Sequence, residues 1–222
     1  AQETEAHARQ LRRAALPEGG QLLLGVDRVD YTKGIPRRFW ALARLLEEHP
    51  DLCGQVTLLQ IGVPTRTHVL EYAAYEEEVA NLAQELNTRF ARGAWAPIRL
   101  VRENIDQATL AAYYRAADVC LVSPLQDGMN LVAKEFVACQ EGRLGVLVLS
   151  RFAGAAQEMR EALLVNPYDL GAVAETLYRA LTLPPAERER RMVLLRRRIQ
   201  RHTIEDWMSD IFAEVARLRR RA

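Results

Sequence analysis

The chain has 222 residues, of which 49% are hydrophobic and 27% are charged, and its formal net charge at pH 7 is +1. This composition is typical of a globular protein that buries a substantial core. The near-zero net charge argues against a general nucleic-acid or membrane partner, and no apolar run approaches the roughly 20 residues of a membrane-spanning helix.

Short apolar runs alternate with longer segments of helical period. After a polar segment, residues 1–20, that predicts a linker helix, the predicted order is strand Leu22–Val26, helix Ile35–Glu48, strand Val56–Ile61, helix Val69–Phe90, strand Ile98–Val101, helix Gln107–Ala116, strand Val119–Val122, helix Asn130–Gln140, strands Gly145–Leu149 and Ala162–Val165, helix Asp169–Leu181 and helical sequence from Pro185 onward. Near-continuous apolar strands separated by helices predict an α/β fold with a doubly wound, Rossmann-like parallel sheet. We therefore expect one domain over residues 1–222, with an α/β core at 21–183 and C-terminal helices at 184–222.

The cysteines and histidines bear on compartment and metal binding. The three cysteines, Cys53, Cys120 and Cys139, are far apart and form no C-x-x-C pair, which predicts a reduced protein in the cytoplasm. The four histidines show no metal-ligand spacing. The polar start lacks Met and does not resemble a signal peptide, so we expect the chain to be a piece of a longer protein.

The segment Ser123–Glu135 follows a predicted strand, breaks into a turn and then opens a helix. The first N–H groups of a helix have no partner in the helix, and Gly128 permits close approach of the backbone, so this start suits a bound phosphate. Asp127 and Glu135 can accept hydrogen bonds from hydroxyl groups. Phosphate donors beside hydroxyl acceptors indicate a nucleotide-sugar site, although this segment alone could equally be an ordinary strand-to-helix turn.

A second motif, Gly25–Gly34, directly follows the first predicted strand. Arg28 and Lys33 place two cations in one short loop, and fixed positive charge is what a departing diphosphate requires. The alternative interpretation is that both cations pair with Asp27 and Asp30 on the surface. The spacing of these two carboxylates does not indicate a metal site, so no metal and no other cofactor is expected.

Together the motifs resemble the trehalose-6-phosphate synthase family, retaining glucosyltransferases with two Rossmann-type domains. The resemblance covers about Leu22 to Leu183, and its signatures are Val26–Gly34, Asp127–Glu135, Val148–Ala156 and Val165–Asp169. It implies that the chain is the C-terminal, donor-binding half of such an enzyme. The missing N-terminal Rossmann domain would then hold most of the acceptor site, so we expect the fragment alone to bind the donor and to catalyse no transfer.

The resemblance also implies roles for individual residues. Arg28, Lys33 and Asp127 would be the catalytic set, with the two cations on the diphosphate and the carboxylate on the glucose hydroxyls. Glu135 would accept from the ribose, and Arg66 would reach the acceptor phosphate. The full donor-binding set would be Arg28, Lys33, Ile105, Leu110, Asp127, Gly128, Met129, Asn130, Leu131, Val132 and Glu135, with Ile105 and Leu110 near the base.

The implied reaction transfers glucose from UDP-glucose to glucose 6-phosphate and forms trehalose 6-phosphate. Alternatives are a related transferase that makes glucosylglycerol phosphate or a pseudo-sugar, and a non-catalytic nucleotide-sugar-binding module. Gln126 and His68 depart from the family pattern, in which Arg and Asp are usual. The sequence leaves open whether the donor nucleotide is UDP, GDP or ADP, and whether the protein forms a homo-oligomer.

Overall fold

The computed structural model describes residues 2–64, 69–141, 144–201 and 203–219. Its strands and helices are, in chain order, α1 (Gln2–Ala15), β1 (Gln21–Arg28), α2 (Ile35–Glu48), β2 (Val56–Val63), α3 (Leu70–Phe90), β3 (Ile98–Val101), α4 (Gln107–Ala116), β4 (Val119–Val122), α5 (Leu131–Cys139), β5 (Val146–Ser150), β6 (Leu163–Val165), α6 (Leu170–Thr182), α7 (Pro185–Arg201) and α8 (Ile204–Arg219). Short 3₁₀ helices lie at Tyr31–Lys33, Pro50–Leu52 and Gly154–Gln157.

The six strands form one parallel sheet in the order β3-β2-β1-β4-β5-β6. From β1 the chain winds outward to β2 and β3, and it then returns to β4 and winds the other way. The doubly wound α/β fold expected from the sequence is thereby confirmed. The reversal between β1 and β4 is the topological switch point at which sheets of this kind bind ligands.

Both faces of the sheet are buried, as the near-continuous apolar strands predicted. Alternate residues of one strand enter different cores: Leu23 packs in the core that α2, α3 and α6 cover, whereas Leu22 and Leu24 pack in the core that α4, α5 and α7 cover. The period of two along a strand explains this division. The two cores hold the sheet rigidly, so the loops at its carboxyl edge start from fixed positions.

Several elements begin or end one or two residues from the predicted bounds, and two differences have a clear physical cause. β1 continues past Val26 because Asp27 and Arg28 still pair with β2, and two charged residues concealed this extension in the sequence. The helical segment after Pro185 is divided into α7 and α8. Thr203 and Asp206 bond reciprocally at this division, since Thr203 N–H donates to Asp206 Oδ2 at 2.8 Å and Asp206 N–H donates to Thr203 Oγ1 at 3.5 Å. Such a capping box starts a new helix.

Within the described ranges, no helix is both long and apolar enough to cross a lipid bilayer. Cys53, Cys120 and Cys139 are all free thiols. Burial raises the pKa of the Cys120 thiol, which keeps this group protonated in the core, where free cysteine packs as a small apolar side chain.

The loops that follow β1 and β4 pack directly on each other. We call residues 28–34 the β1 loop and residues 123–130 the β4 loop. The N–H of Leu125 donates to the carbonyl oxygen of Thr32 at 2.7 Å. Gly34 adopts a left-handed conformation with φ 65°, and a Cβ added to it would lie 3.0 Å from Leu125 Cδ2 and 3.2 Å from Ser123 O. Gly34 is therefore required both for its backbone conformation and for this contact.

We expect Gly34→Ala to destabilise the chain more than Gly93→Ala, measured as the free energy of urea unfolding. Gly93 has a similar φ of 60° but no atom within 4 Å of an added Cβ, so it reports the cost of the left-handed conformation alone, about 1–2 kcal/mol. Gly34→Ala adds the cost of separating the two loops. Equal losses of stability would show that the contact between the loops contributes nothing.

Candidate functional site

The candidate site lies at the carboxyl edge of the sheet, at the switch point. The β1 loop and the β4 loop leave from neighbouring strands, because β1 pairs with β4. The predicted residues Ile105 and Leu110 lie in the loop after β3 and in the first turn of α4, which places them on the same edge of the sheet. Residues from three distant parts of the sequence thus lie on the same edge of the sheet.

Lys33 and Asp127 form an ion pair between the two loops. Lys33 Nζ lies 2.6 Å from Asp127 Oδ2, and both side chains are only 15% exposed. The alternative interpretation, in which Lys33 pairs with Asp27 or Asp30, is wrong. Asp27 pairs with Arg38, and Asp30 Oδ1 accepts from the N–H and the hydroxyl of Thr32 at 2.9 and 2.8 Å.

The environment of Asp127 favours its ionised form. Burial acts to raise the pKa of this carboxyl, but the hydrogen bond and charge of Lys33, with hydrogen bonds from Asn130 and Met129, outweigh burial and hold the pKa below its ordinary value. Asp127 is therefore a carboxylate at neutral pH. It can accept hydrogen bonds from hydroxyl groups of a ligand, while the exposed Arg28 at the end of β1 adds a second cation to this edge.

Asn130 determines where α5 begins. It is the one non-glycine residue with positive φ, at 76°, among those that the structure describes. Its Oδ1 accepts from Ala133 N–H at 3.0 Å, and its Nδ2 donates to Asp127 Oδ2 at 3.1 Å. Asn130 is therefore the cap and not, as predicted, the first helical residue. The N–H groups of Leu131 and Val132 lie in the first turn, where a helix offers no acceptor, and they can serve an anion.

Gly128 and Met129 complete the β4 loop between Asp127 and Asn130. Gly128 is exposed, and no atom lies within 4 Å of a Cβ added to it. The backbone is open to a ligand at this point, as we predicted from the presence of Gly128 in the sequence. Met129 N–H donates to Asp127 Oδ1 at 3.3 Å, so both carboxyl oxygens of Asp127 are engaged.

Glu135 lies one turn into α5 and is held by a residue that the sequence did not single out. Tyr114 Oη donates to Glu135 Oε2 at 2.8 Å. Tyr114 is buried, whereas Glu135 is exposed, so the carboxylate is anchored from below and faces solvent. Leu110 lies one turn before Tyr114 on α4, and both Leu110 and Ile105 pack against the same core. Leu110 and Tyr114 are four residues apart and so share one face of α4. This spacing was the sequence feature that could have identified Tyr114.

The segment after β5 supports the β4 loop from the other side. Asp127 N–H donates to Phe152 O at 3.2 Å, Gly154 N–H donates to Asp127 O at 2.9 Å, and Ala155 N–H donates to Met129 O at 2.7 Å. A Cβ on Gly154 would lie 2.2 Å from Gly128 O. Only glycine fits at Gly154. The family signature Val148–Ala156 therefore has a physical role, because it fixes the position of the β4 loop.

Arg66 and His68 lie outside the described residues. Gln126 is exposed in the β4 loop. No group of three or more His, Cys, Asp or Glu side chains is arranged to hold a metal ion in the parts of the chain that the structure covers. The absence of a metal requirement stays a prediction.

Comparisons with known proteins agree with the fold and the motifs. The chain is 42% identical over 199 residues to a trehalose-6-phosphate synthase of Sinorhizobium fredii, which covers 89% of this chain and 43% of that protein. Among solved structures, a UDP-forming α,α-trehalose-phosphate synthase of Burkholderia xenovorans in complex with glucose-6-phosphate matches with a TM-score of 0.88 and 38% identity, over 96% of this chain and 49% of its own. A structure from E. coli bound with UDP-2-fluoro glucose matches with the same TM-score and identity, again over 96% and 49%.

The chain therefore spans about half the length of the solved structures that it matches and less than half of the curated relatives. A model of glycosyltransferase family 20 matches residues 1–217, nearly the whole chain. The chain belongs to glycosyltransferase family 20.

Proposed function

We propose that the chain is the donor-binding half of a retaining glucosyltransferase that transfers glucose from UDP-glucose to glucose 6-phosphate. The observation that carries this proposal is the meeting of Lys33, Asp127 and the start of α5 at the switch point. A cation, a carboxylate and free helix amides are the groups that a nucleotide sugar requires. The ligands named for the related structures, UDP-2-fluoro glucose and glucose-6-phosphate, support this donor and this acceptor.

The charges of the site suit the departure of a diphosphate. Negative charge grows on the leaving phosphate oxygens in the transition state, and fixed positive groups stabilise that charge. Arg28, Lys33 and the amides of Leu131 and Val132 would supply it. Because Lys33 already neutralises Asp127 before the donor binds, it would contact carboxylate and phosphate together and hold the sugar and the leaving group in one geometry.

The glucose and the nucleoside would bind on opposite sides of the phosphates. Asp127 would accept hydrogen bonds from the glucose hydroxyls. The backbone N–H groups from Gly128 to Leu131 would donate hydrogen bonds to the glucose. Glu135, anchored by Tyr114, would accept from the ribose hydroxyls. Ile105 and Leu110 would lie near the base, and the UDP-forming relatives support uracil as that base.

The proposed chemistry needs no protein nucleophile and no metal. The departing diphosphate would take the proton from the attacking hydroxyl of the acceptor on the same face, which gives retention of configuration. Arg28 and Lys33 would provide the charge that a divalent cation provides elsewhere. Their fixed positions would also keep the phosphate oxygens near the acceptor hydroxyl.

Acceptor binding would require the other half of the longer protein. Arg66 would contact the acceptor phosphate, as the family resemblance implies. Helix α8 offers a surface for the missing N-terminal domain, because its apolar residues share one helical face and none of its residues is buried. The exposed apolar residues of this face are Ile204, Met208, Ile211, Phe212, Val215 and Leu218.

The assembled enzyme would work in the cytoplasm, where the free thiols of the chain stay reduced. A homo-oligomer built on the apolar face of α8 is the alternative use of this surface. Size measurements on the longer protein would distinguish it, because covering α8 within one chain leaves a monomer.

Calorimetry with UDP-glucose tests the proposed function most simply. We expect binding in the presence of EDTA, because Arg28 and Lys33 meet the charge of the diphosphate. UDP-glucose should bind more tightly than GDP-glucose or ADP-glucose. Loss of binding in EDTA and its return with magnesium would contradict the roles of the two cations.

We expect Lys33→Ala to lower the affinity for UDP by about 1.5–3 kcal/mol, the usual contribution of a hydrogen bond to a charged group. Uridine should bind both proteins equally, since it carries no phosphate. Lys134→Ala is the matched control. Lys134 lies on α5 and, like Lys33, forms a partly buried ion pair, in this case with Glu158 at 2.8 Å. Equal losses for uridine and UDP would place Lys33 away from the phosphates.

Asp127→Asn should spare UDP binding but abolish the preference for UDP-glucose over UDP. The amide keeps the shape of the side chain, yet it loses the charge that accepts from sugar hydroxyls and that holds Lys33. Lys33 is then fully available to the diphosphate, so the affinity for UDP should be kept or increased. A loss of UDP affinity as large as the loss for UDP-glucose would make Asp127 a structural residue of the turn.

A further inference from the structure

Arg38 on α2 is a fully buried arginine that the proposed chemistry does not use. It is only 1% exposed, which is rare for arginine unless its charge is paired. Its Nη1 donates to Asp27 Oδ2 and to Gln60 Oε1, each at 2.6 Å, and its Nε donates to Ser123 Oγ at 3.1 Å. One guanidinium group therefore holds side chains from three different segments.

These partners stand at the roots of the two loops that form the site. Asp27 directly precedes Arg28 at the end of β1, and Ser123 is the first residue of the β4 loop. Gln60 on β2 completes the cluster, because its Nε2 donates to Asp27 Oδ2 at 3.2 Å. The guanidinium thus bridges the two loops on the buried side of the switch point. Lys33 and Asp127 bridge the same loops on the side nearer the solvent.

The cluster is a poor choice for stability alone. A buried ion pair often contributes no more than apolar residues of the same size, because both charges lose their hydration. Arg38 Nη2 is buried, and no hydrogen-bond partner for it exists among the described residues, which adds a desolvation cost. Gly25 leaves room for the cluster, since a Cβ there would lie 2.4 Å from both Arg38 Nη1 and Gln60 Oε1.

We propose that Arg38 is a positioning residue of the nucleotide-sugar site, and that its bonds to Asp27 and Ser123 set the spacing between the β1 loop and the β4 loop. This spacing determines whether Lys33 and the start of α5 can contact one diphosphate together. The proposal rests on the proposed function, because it assigns Arg38 to the same site. Arg38 itself contacts neither substrate nor reacting atoms.

Arg38→Met tests the proposal against a matched control, Arg12→Met. Arg12 Nη1 lies 2.7 Å from Asp118 Oδ2, whose side chain is fully buried, but this pair lies before β4 and not at the two loops. Both variants remove a guanidinium from a buried carboxylate and should lower the melting temperature. Only Arg38→Met should weaken UDP binding in calorimetry, by about tenfold or more, which corresponds to about 1.4 kcal/mol.

Two further variants separate positioning from stability. Asp27→Asn combined with Arg38→Met removes both charges and should restore much of the melting temperature, since no unpaired charge stays buried, while UDP affinity should stay low. Gly25→Ala keeps every charge but displaces the guanidinium, and it should weaken UDP binding by a similar factor. Recovery of affinity together with stability in the double variant would overturn the proposal.

Amide spectra of the same proteins give a readout that does not depend on a ligand. Arg38→Met should shift the amide resonances of Thr32, Gly34 and Leu125 in both loops, whereas Arg12→Met should leave them unchanged. If the wild-type chain failed to bind UDP, the proposed function would be wrong, but these shifts would still decide whether Arg38 sets the loop spacing. Shifts confined to α2 and β1, or equal UDP losses in the two arginine variants, would overturn the proposal.

Discussion

The reversal of strand order between β1 and β4 is the constraint on which the site depends. Each parallel strand must be followed by a crossover that packs on one face of the sheet, and at the reversal neighbouring crossovers leave in opposite directions. The loops after β1 and β4 therefore leave the sheet side by side and contact each other directly at this point. Their contacts are the hydrogen bond from Leu125 to Thr32 and the ion pair of Lys33 with Asp127.

Charged side chains are buried at this edge, although apolar side chains would lose less hydration energy there. Arg38 and Asp27 are buried below the loops, and burial raises the pKa of Asp27 despite the opposing charge of Arg38. Above them, Lys33 and Asp127 neutralise each other in the absence of donor. A concentration of buried charge at one edge is typical of a functional site.

Local sequence predicted most of the fold but few of the contacts within the site. β3, α4 and β4 have the predicted bounds because their apolar runs are flanked by turn or capping residues, such as Asp106 at the start of α4. β1 was predicted too short because Asp27 is buried only through Arg38, whose position depends on tertiary packing. The pairing of Lys33 with Asp127 joins residues 94 positions apart, and only the strand order brings them together. The link from Tyr114 to Glu135 depends in the same way on α4 packing beside α5.

The most direct test of coupling across the switch point is an NMR titration of the Asp127 carboxyl carbon in the wild-type chain and in Lys33→Met. In the wild type the pKa should lie below its ordinary value, so the ion pair stabilises the fold at neutral pH and this contribution is lost as the pH falls through that lowered pKa. Without Lys33 the effect of burial should dominate, and the pKa of Asp127 should rise. An unchanged pKa in Lys33→Met would contradict the coupling of the two loops.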